Sequence, residues 1–173
     1  MKKLAFILAA AMLLMLCACT VEDVDLSAST AGDGASQTET QKDYTFTANG
    51  VEIAMHADAQ PVLDALGEPQ GYFEEPSCAT DDIDKVYLYQ SLQLCAYPDG
   101  DGYRVYSLVL LNDAVSTPEG ICIGDSADDV TATYGNDYSD EGIIRIYSTD
   151  NTELRITIED DIVTAISYTA VLA

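Results

Sequence analysis

The chain has 173 residues, 48% of them hydrophobic, with 30 acids against seven Lys and Arg and a formal net charge of −23. That balance argues against nucleic-acid binding, where Lys and Arg must neutralise phosphates, and against a protein body lying on anionic lipid. It suits a soluble body that steers cationic partners such as basic proteins, peptides or divalent ions.

The chain opens MKKLAFILAAAMLLMLCACT, a basic start (Lys2, Lys3) followed by an apolar run. This reads as a secretory signal over residues 1–18, too short to span a hydrocarbon core of about 30 Å. Its end, Leu16-Cys17-Ala18-Cys19, is similar to the bacterial lipoprotein signal, in which Cys19 becomes the lipidated first residue. Several acyl chains would then hold the protein on the extracytoplasmic side of the cell membrane. Loss of Lys2 and Lys3 takes the formal charge from −23 to −25. Residues 20–43 are small, polar and acidic, and read as a disordered tether that holds the body ~25–30 Å from the lipid.

The body divides into residues 44–114 and 115–173, each with the same grammar. A short alternating strand comes first (Val51, Ile53, Met55; then Ile121, Ile123). A capping residue follows, Asp58 or Ser126, with Asp129 three positions after the second. Apolar residues recur at helical spacing until Gly67 or Gly135 ends the helix. At a shift of 68, Ala59 falls on Ala127, Val62 on Val130 and Gly67 on Gly135. Downstream, residues 85–89 match 143–147, 92–97 match 154–158, and 103–110 match 161–168. A pattern kept through elements and broken at loops is what duplication leaves. The expected fold class is α+β: two tandem β-α-β-β-β repeats, each with a short helix packed on an antiparallel sheet.

Asp125, Asp128 and Asp129 could be gathered around a metal, but their counterparts in the first repeat are Ala57, Gln60 and Pro61. A helix start recurs there and a ligand set does not. Carboxylates at that point serve the helix dipole and its unpaired N–H groups. Strand alternation places Val86, Leu88, Leu92 and Leu94 inward, with Ile144, Ile146, Leu154, Ile156 and Ile158. It places Tyr87, Tyr89, Gln93 and Cys95 outward, with Arg145, Tyr147, Glu153, Arg155 and Thr157.

The helix S-A-D-D-V-T-A-T-Y-G (126–135), entered from I-C-I-G (121–124) and followed by a meander, resembles the repeats of the secreted beta-lactamase inhibitor protein family. It is also similar to the small outer-membrane assembly lipoproteins. The resemblance spans residues 50–173 and implies a binding surface on the open sheet face, without catalysis.

Catalytic groups are scarce in the sequence. The one histidine, His56, is too little for a triad or a His-based zinc site. Asp99-Gly100-Asp101-Gly102 reads as a hairpin turn rather than a calcium loop. Behind Cys19, Cys78 and Cys95 form a possible disulfide that would fold the 68–84 loop over the sheet, the alternative being free thiols at Cys78, Cys95 and Cys122. Eleven tyrosines and no tryptophan make an aromatic patch the natural recognition surface. Tyr72, Phe73, Tyr87, Tyr89 and Tyr106 supply its anchors, with Arg145, Tyr147 and Arg155 from the second repeat. The expected function is a membrane-anchored, non-catalytic module that binds a protein or peptide, cationic ones favoured, with no cofactor and no nucleic acid. The alternatives are an envelope-assembly scaffold and an inhibitor of a secreted basic enzyme.

Overall fold

The computed structural model describes residues 42–77 and 82–172. Cys19 and the rest of residues 1–41 lie outside them, as does Cys78. The body opens with a two-stranded hairpin, β1 (Phe46–Ala48) and β2 (Val51–Ile53). Asn49 and Gly50 close it at φ 50° and 77°, the positive angles that a two-residue turn of this hand requires. This Asn-Gly pair is a strong hairpin signal, and sequence reasoning passed over it.

Helix α1 (Ala59–Leu66) starts at Asp58, whose carboxylate accepts from the Gln60 N–H at 3.0 Å. Helix α2 (Ala127–Tyr134) starts with a full capping box: Ser126 Oγ accepts from the Asp129 N–H at 3.1 Å, and Asp129 accepts from the Ser126 N–H at 3.2 Å. Each helix buries the residue pair three apart that the sequence pattern singles out, Ala59 and Val62 or Ala127 and Val130. Gly67 and Gly135 end them at φ 79°, ψ −159° and φ 80°, ψ −162°, backbone angles open essentially to glycine alone.

Four antiparallel strands follow each helix. The first set is β3 (Gly71–Pro76), β4 (Ile83–Leu88), β5 (Leu92–Asp99) and β6 (Gly102–Leu110). The second is β7 (Ser139–Glu141), β8 (Ile144–Ser148), β9 (Thr152–Glu159) and β10 (Ile162–Ala170). They merge into one eight-stranded sheet, ordered β3-β4-β5-β6-β10-β9-β8-β7. The join is β6 on β10, with Leu108 opposite Tyr168 and Leu110 opposite Ile166.

The structure is therefore α+β with antiparallel sheets and two helices, but the expected β-α-β-β-β order does not describe it. The strand before α1 pairs with β1 in a separate sheet, and only isolated bridges, Ser116 to Cys122 and Ser126 to Ile162, precede α2. A fourth meander strand takes its place, β3 in the segment read as a long loop and β7 in a polar stretch. The two halves share a sheet and a core, and the described residues belong to one compact unit. Asp43, placed at the end of the tether, is part of that body. Thr149 Oγ1 and Asn151 Nδ2 donate to it at 2.6 and 2.8 Å and hold its carboxyl below the usual carboxylate range.

The halves share several backbone details. His56 donates its N–H to the Val105 carbonyl and Val105 returns one to Ala57, both at 2.9 Å. Gly124 and Asp125 make the same pair with Val163, at 2.9 and 2.8 Å. These bonds dock each helix entrance onto the last strand of its own meander. Tyr89 donates its hydroxyl to the Gly67 carbonyl at 3.4 Å, and Tyr147 to the Gly135 carbonyl at 3.2 Å. The hairpin registers, Leu88 opposite Gln93 and Ser148 opposite Glu153, match the strands at an offset of 60. That is two residues from the sequence match of Tyr89 with Tyr147.

One set of facing assignments is reversed. Directly paired residues share a face, and Tyr87 pairs with Leu94, Arg145 with Ile156, and Tyr147 with Leu154. Tyr87, Arg145 and Tyr147 thus point to the helix-covered face, and Tyr89 packs against the same core. Val86, Leu88, Ile144 and Ile146 point to the other. Leu92, Leu94, Leu154, Ile156 and Ile158 face inward as expected. Alternation sets the period of a strand, but phase is ambiguous where both residue sets are apolar. For Tyr89 and Tyr147 the inner face also lets the hydroxyl reach the helix-ending carbonyl.

Tyr168 is fully buried in the core, and its hydroxyl has no hydrogen-bond partner among the described residues. Burial pushes its phenol pKa up. Because an unmatched buried hydroxyl is a net cost, Tyr168→Phe should raise the unfolding free energy by about 1 kcal/mol. Urea denaturation measures it, and a loss of similar size would mean that the hydroxyl is satisfied in solution.

Candidate functional site

The residues expected to form one aromatic patch fall into three places. Tyr147 is 1% exposed and sits in a ring cluster with Tyr44, Tyr134 and Tyr138, at centroid distances of 6.5, 5.2 and 5.5 Å. Arg145 lies over the Tyr138 ring at 5.0 Å and donates to the Ala127 carbonyl and Thr131 Oγ1 at 3.0 and 2.9 Å. These two side chains fasten β8 to α2. Tyr89 fastens β4 to the end of α1 in the same way. Tyr106 stands where the β5–β6 register slips, its ring edge-on to Tyr97 at 6.3 Å.

Arg155 does lie on the helix-free face, but acids hold it from two sides. Glu153 is 2.9 Å away and Glu141 3.1 Å. Cys95 is buried on that face, its sulfur 3.9 Å from Asp84 Oδ2. The pairing with Cys78 concerns a residue outside the described ones.

Tyr72 and Phe73 are neighbours on one exposed strand. They lie on β3, the outermost strand of the sheet among the described residues, and are 49% and 42% exposed. Successive positions send them to opposite faces. Tyr72 stacks at 5.2 Å on Tyr87 of the helix side, while Phe73 stands opposite Val86 on the helix-free side. Ile83, opposite Pro76, adds a third large exposed apolar side chain. Glu74 and Glu75 complete the strand. Tyr72 donates its hydroxyl to Glu74 at 2.5 Å, and that bond is the first cause pushing its phenol pKa up to about 12.

The sequence held a signal for these strands. Tyr72-Phe73-Glu74-Glu75 and Tyr138-Ser139-Asp140-Glu141 are alike, and each middle acid stands opposite a base: Glu74 opposite Lys85, Asp140 opposite Arg145. Their spacing from the helices was unequal, so a fixed-offset comparison missed the match.

The carboxylates at the opening of α2 have structural partners. Asp125 accepts from the Cys122 N–H at 2.7 Å, and Asp129 belongs to the capping box. Asp99 at the β5–β6 turn forms an ion pair with Arg104. Among the described residues no group of three or more His, Cys, Asp or Glu side chains is placed to hold a metal ion. His56 spends both ring nitrogens on the fold, 3.0 Å from Tyr97 Oη and 3.1 Å from the Val171 carbonyl. The tautomer with hydrogen on Nε2 accounts for both contacts. A cleft of about 520 Å³ opens between β1, the end of α1 and the β4–β5 turn. Several of its polar groups already serve the fold: Asn49 donates to Ala65, Tyr89 to Gly67, and the Gln90 carbonyl accepts from Asn112.

No family model matches the chain, and no curated protein matches it in sequence. A solved structure shares its fold, an extracellular protein containing an SCP domain from Bacillus anthracis str. Ames, at a TM-score of 0.51 and 12% identity. The likeness covers 84% of this chain and 50% of that one, so this chain spans half the length of its structural neighbour. No described helix is long and apolar enough to cross a membrane.

Replacing Glu74 with Gln removes the carboxylate that holds the Tyr72 proton. The Tyr72 phenol should then titrate close to the ordinary value of about 10. NMR of ring-labelled tyrosine follows it, and an unmoved titration would show that Glu74 is not the cause.

Proposed function

We propose that this chain is an extracytoplasmic recognition module, held to the cell membrane by lipid on Cys19, that binds a protein or peptide without catalysis. The observation that carries the reading is the one-sided cover of the sheet. Two helices and the β1–β2 hairpin pack on one face, and the other face carries no helix among the described residues. Its centre is made of small and medium side chains, Ser107, Val109, Ser167 and Thr169, and Phe73 stands exposed at its rim. A broad face of this kind offers backbone-close contact with aromatic anchoring at the edge.

The matched helix entrances, helix ends and hairpin registers support duplication of a helix-and-meander unit as the origin of the body. They suit the resemblance to the beta-lactamase inhibitor proteins and the small assembly lipoproteins, both read here as binding folds. An extracellular location of the structural neighbour fits the signal at the start of this chain. The formal charge of −25 after removal of residues 1–18 favours cationic partners and makes salt weaken their binding.

Ser167→Arg places a bulky positive side chain at the middle of the helix-free face. It should weaken binding to a panel of basic proteins by about tenfold at low salt while leaving the circular dichroism spectrum unchanged. Undiminished binding by the folded variant would remove this face from the reading. For the anchor, Cys19→Ser should move the protein from the membrane fraction to the soluble one, and retention in the membrane would refute lipid attachment there.

A further inference from the structure

We propose that β3 is a strand-addition site, where an extended basic segment of a partner pairs with the sheet edge. This rests on the recognition reading above and names its site and partner chemistry. The hydrogen-bond pattern sets which groups of β3 are available. Ser77 donates its N–H to the Asp82 carbonyl, and Tyr89 its N–H to Leu92. In an antiparallel ladder bonded pairs alternate along the strand, so both bonds lead to one assignment. Phe73 and Glu75 turn their backbone groups to β4. Tyr72 and Glu74 turn theirs outward, together with the Pro76 carbonyl.

The edge is suited to an occupant in three further ways. Its six pairs with β4 run without a register shift, whereas proteins commonly guard edges with bulges or very short strands. The opposite edge, β7, is only three residues long. On β3 each face offers one aromatic ring followed by one carboxylate, Tyr72 then Glu74 and Phe73 then Glu75. An antiparallel occupant that places bases opposite the two acids and apolar residues opposite the two rings reads Lys-Lys-Val-Val. Opposite charges and aromatic–β-branched pairs are the favourable cross-strand combinations. A second copy of this chain would bring another body of charge −25 to the same edge, so the charge selects a basic partner over self-pairing.

The test uses the mature chain and a short synthetic peptide containing Lys-Lys-Val-Val. Its control is the same peptide methylated on the backbone nitrogens that would face β3. Fluorescence anisotropy gives affinity, and amide hydrogen exchange reports on Tyr72 and Glu74. The expected result is binding that slows exchange at both amides and weakens about tenfold on methylation. Glu74→Pro removes an outward N–H without touching the β4 pairing and should weaken binding to a similar degree. Glu74→Gln keeps that N–H and should cost only about threefold.

Equal binding of the methylated peptide, or undiminished binding by folded Glu74→Pro, would overturn the proposal in favour of charge attraction alone. Failure of the peptide to bind the unaltered chain would overturn it as well. If Ser167→Arg abolishes binding and Glu74→Pro does not, the occupant lies on the sheet face: the recognition reading stands and the edge assignment falls. If neither variant weakens it, both fall. Protection of the Tyr72 and Glu74 amides in a peptide-free dimer, seen by sedimentation, would give the edge to a second copy instead.

Discussion

The backbone ladder between β6 and β10 decides what kind of object this chain becomes. Each half makes a four-stranded meander under one eight-residue helix, and a helix that short covers little of a sheet. Pairing of residues 107–110 with 166–169 sets Leu108 beside Tyr168 and Leu110 beside Ile166, so two thin hydrophobic faces become one. The resulting core runs from Phe46 and Val62 in the first half to Tyr147 and Ile156 in the second. Burial on this scale depends on the join, because the helices alone bury only two residues each.

What the halves share is chiefly backbone geometry. The helix entrances dock through paired hydrogen bonds to Val105 and Val163, both fully buried. His56 and Gly124 hold the corresponding turns at φ 63° and 101°. Glycine is free at such angles and histidine is not, and His56 is held there by Tyr97 and the Val171 carbonyl. Side chains with chemical potential differ between the halves, while capping, docking and helix termination recur. The acids opening α2 belong to that structural set.

Charge shapes the remaining surface. Both sheet edges carry acids, Glu74 and Glu75 on one and Asp140 and Glu141 on the other. Seven Lys and Arg serve a chain with 30 acids, and the four described ones on the sheet are all engaged. Lys85 lies over the Tyr103 ring, Arg104 pairs with Asp99, Arg145 is bound to α2, and Arg155 is held by Glu141 and Glu153. The positive charge of the sheet is thus spent internally.

Local signals in the sequence, which act within a few residues, were enough for the two helices with their caps and terminal glycines, for strands β4, β5, β9 and most of β6 and β10, and for the class α+β. Strands β3 and β7 escaped because neither face of them is buried: β3 sets an aromatic ring and an acid on each face and β7 is polar, which leaves no alternation to detect. The inward turn of Tyr87, Arg145 and Tyr147 escaped for a different reason. Their strands carry large side chains on both faces, and the space beneath the facing helix decides which set fits there. For the same reason the aromatic patch was legible as composition and not as a surface, of which Tyr72 and Phe73 alone remain strongly exposed. The helices and their caps follow from neighbouring residues, whereas the partner of β6, the faces of the tyrosines and the position of β3 at the edge of the described sheet depend on contacts between residues far apart in the chain, and these exist only once it has folded.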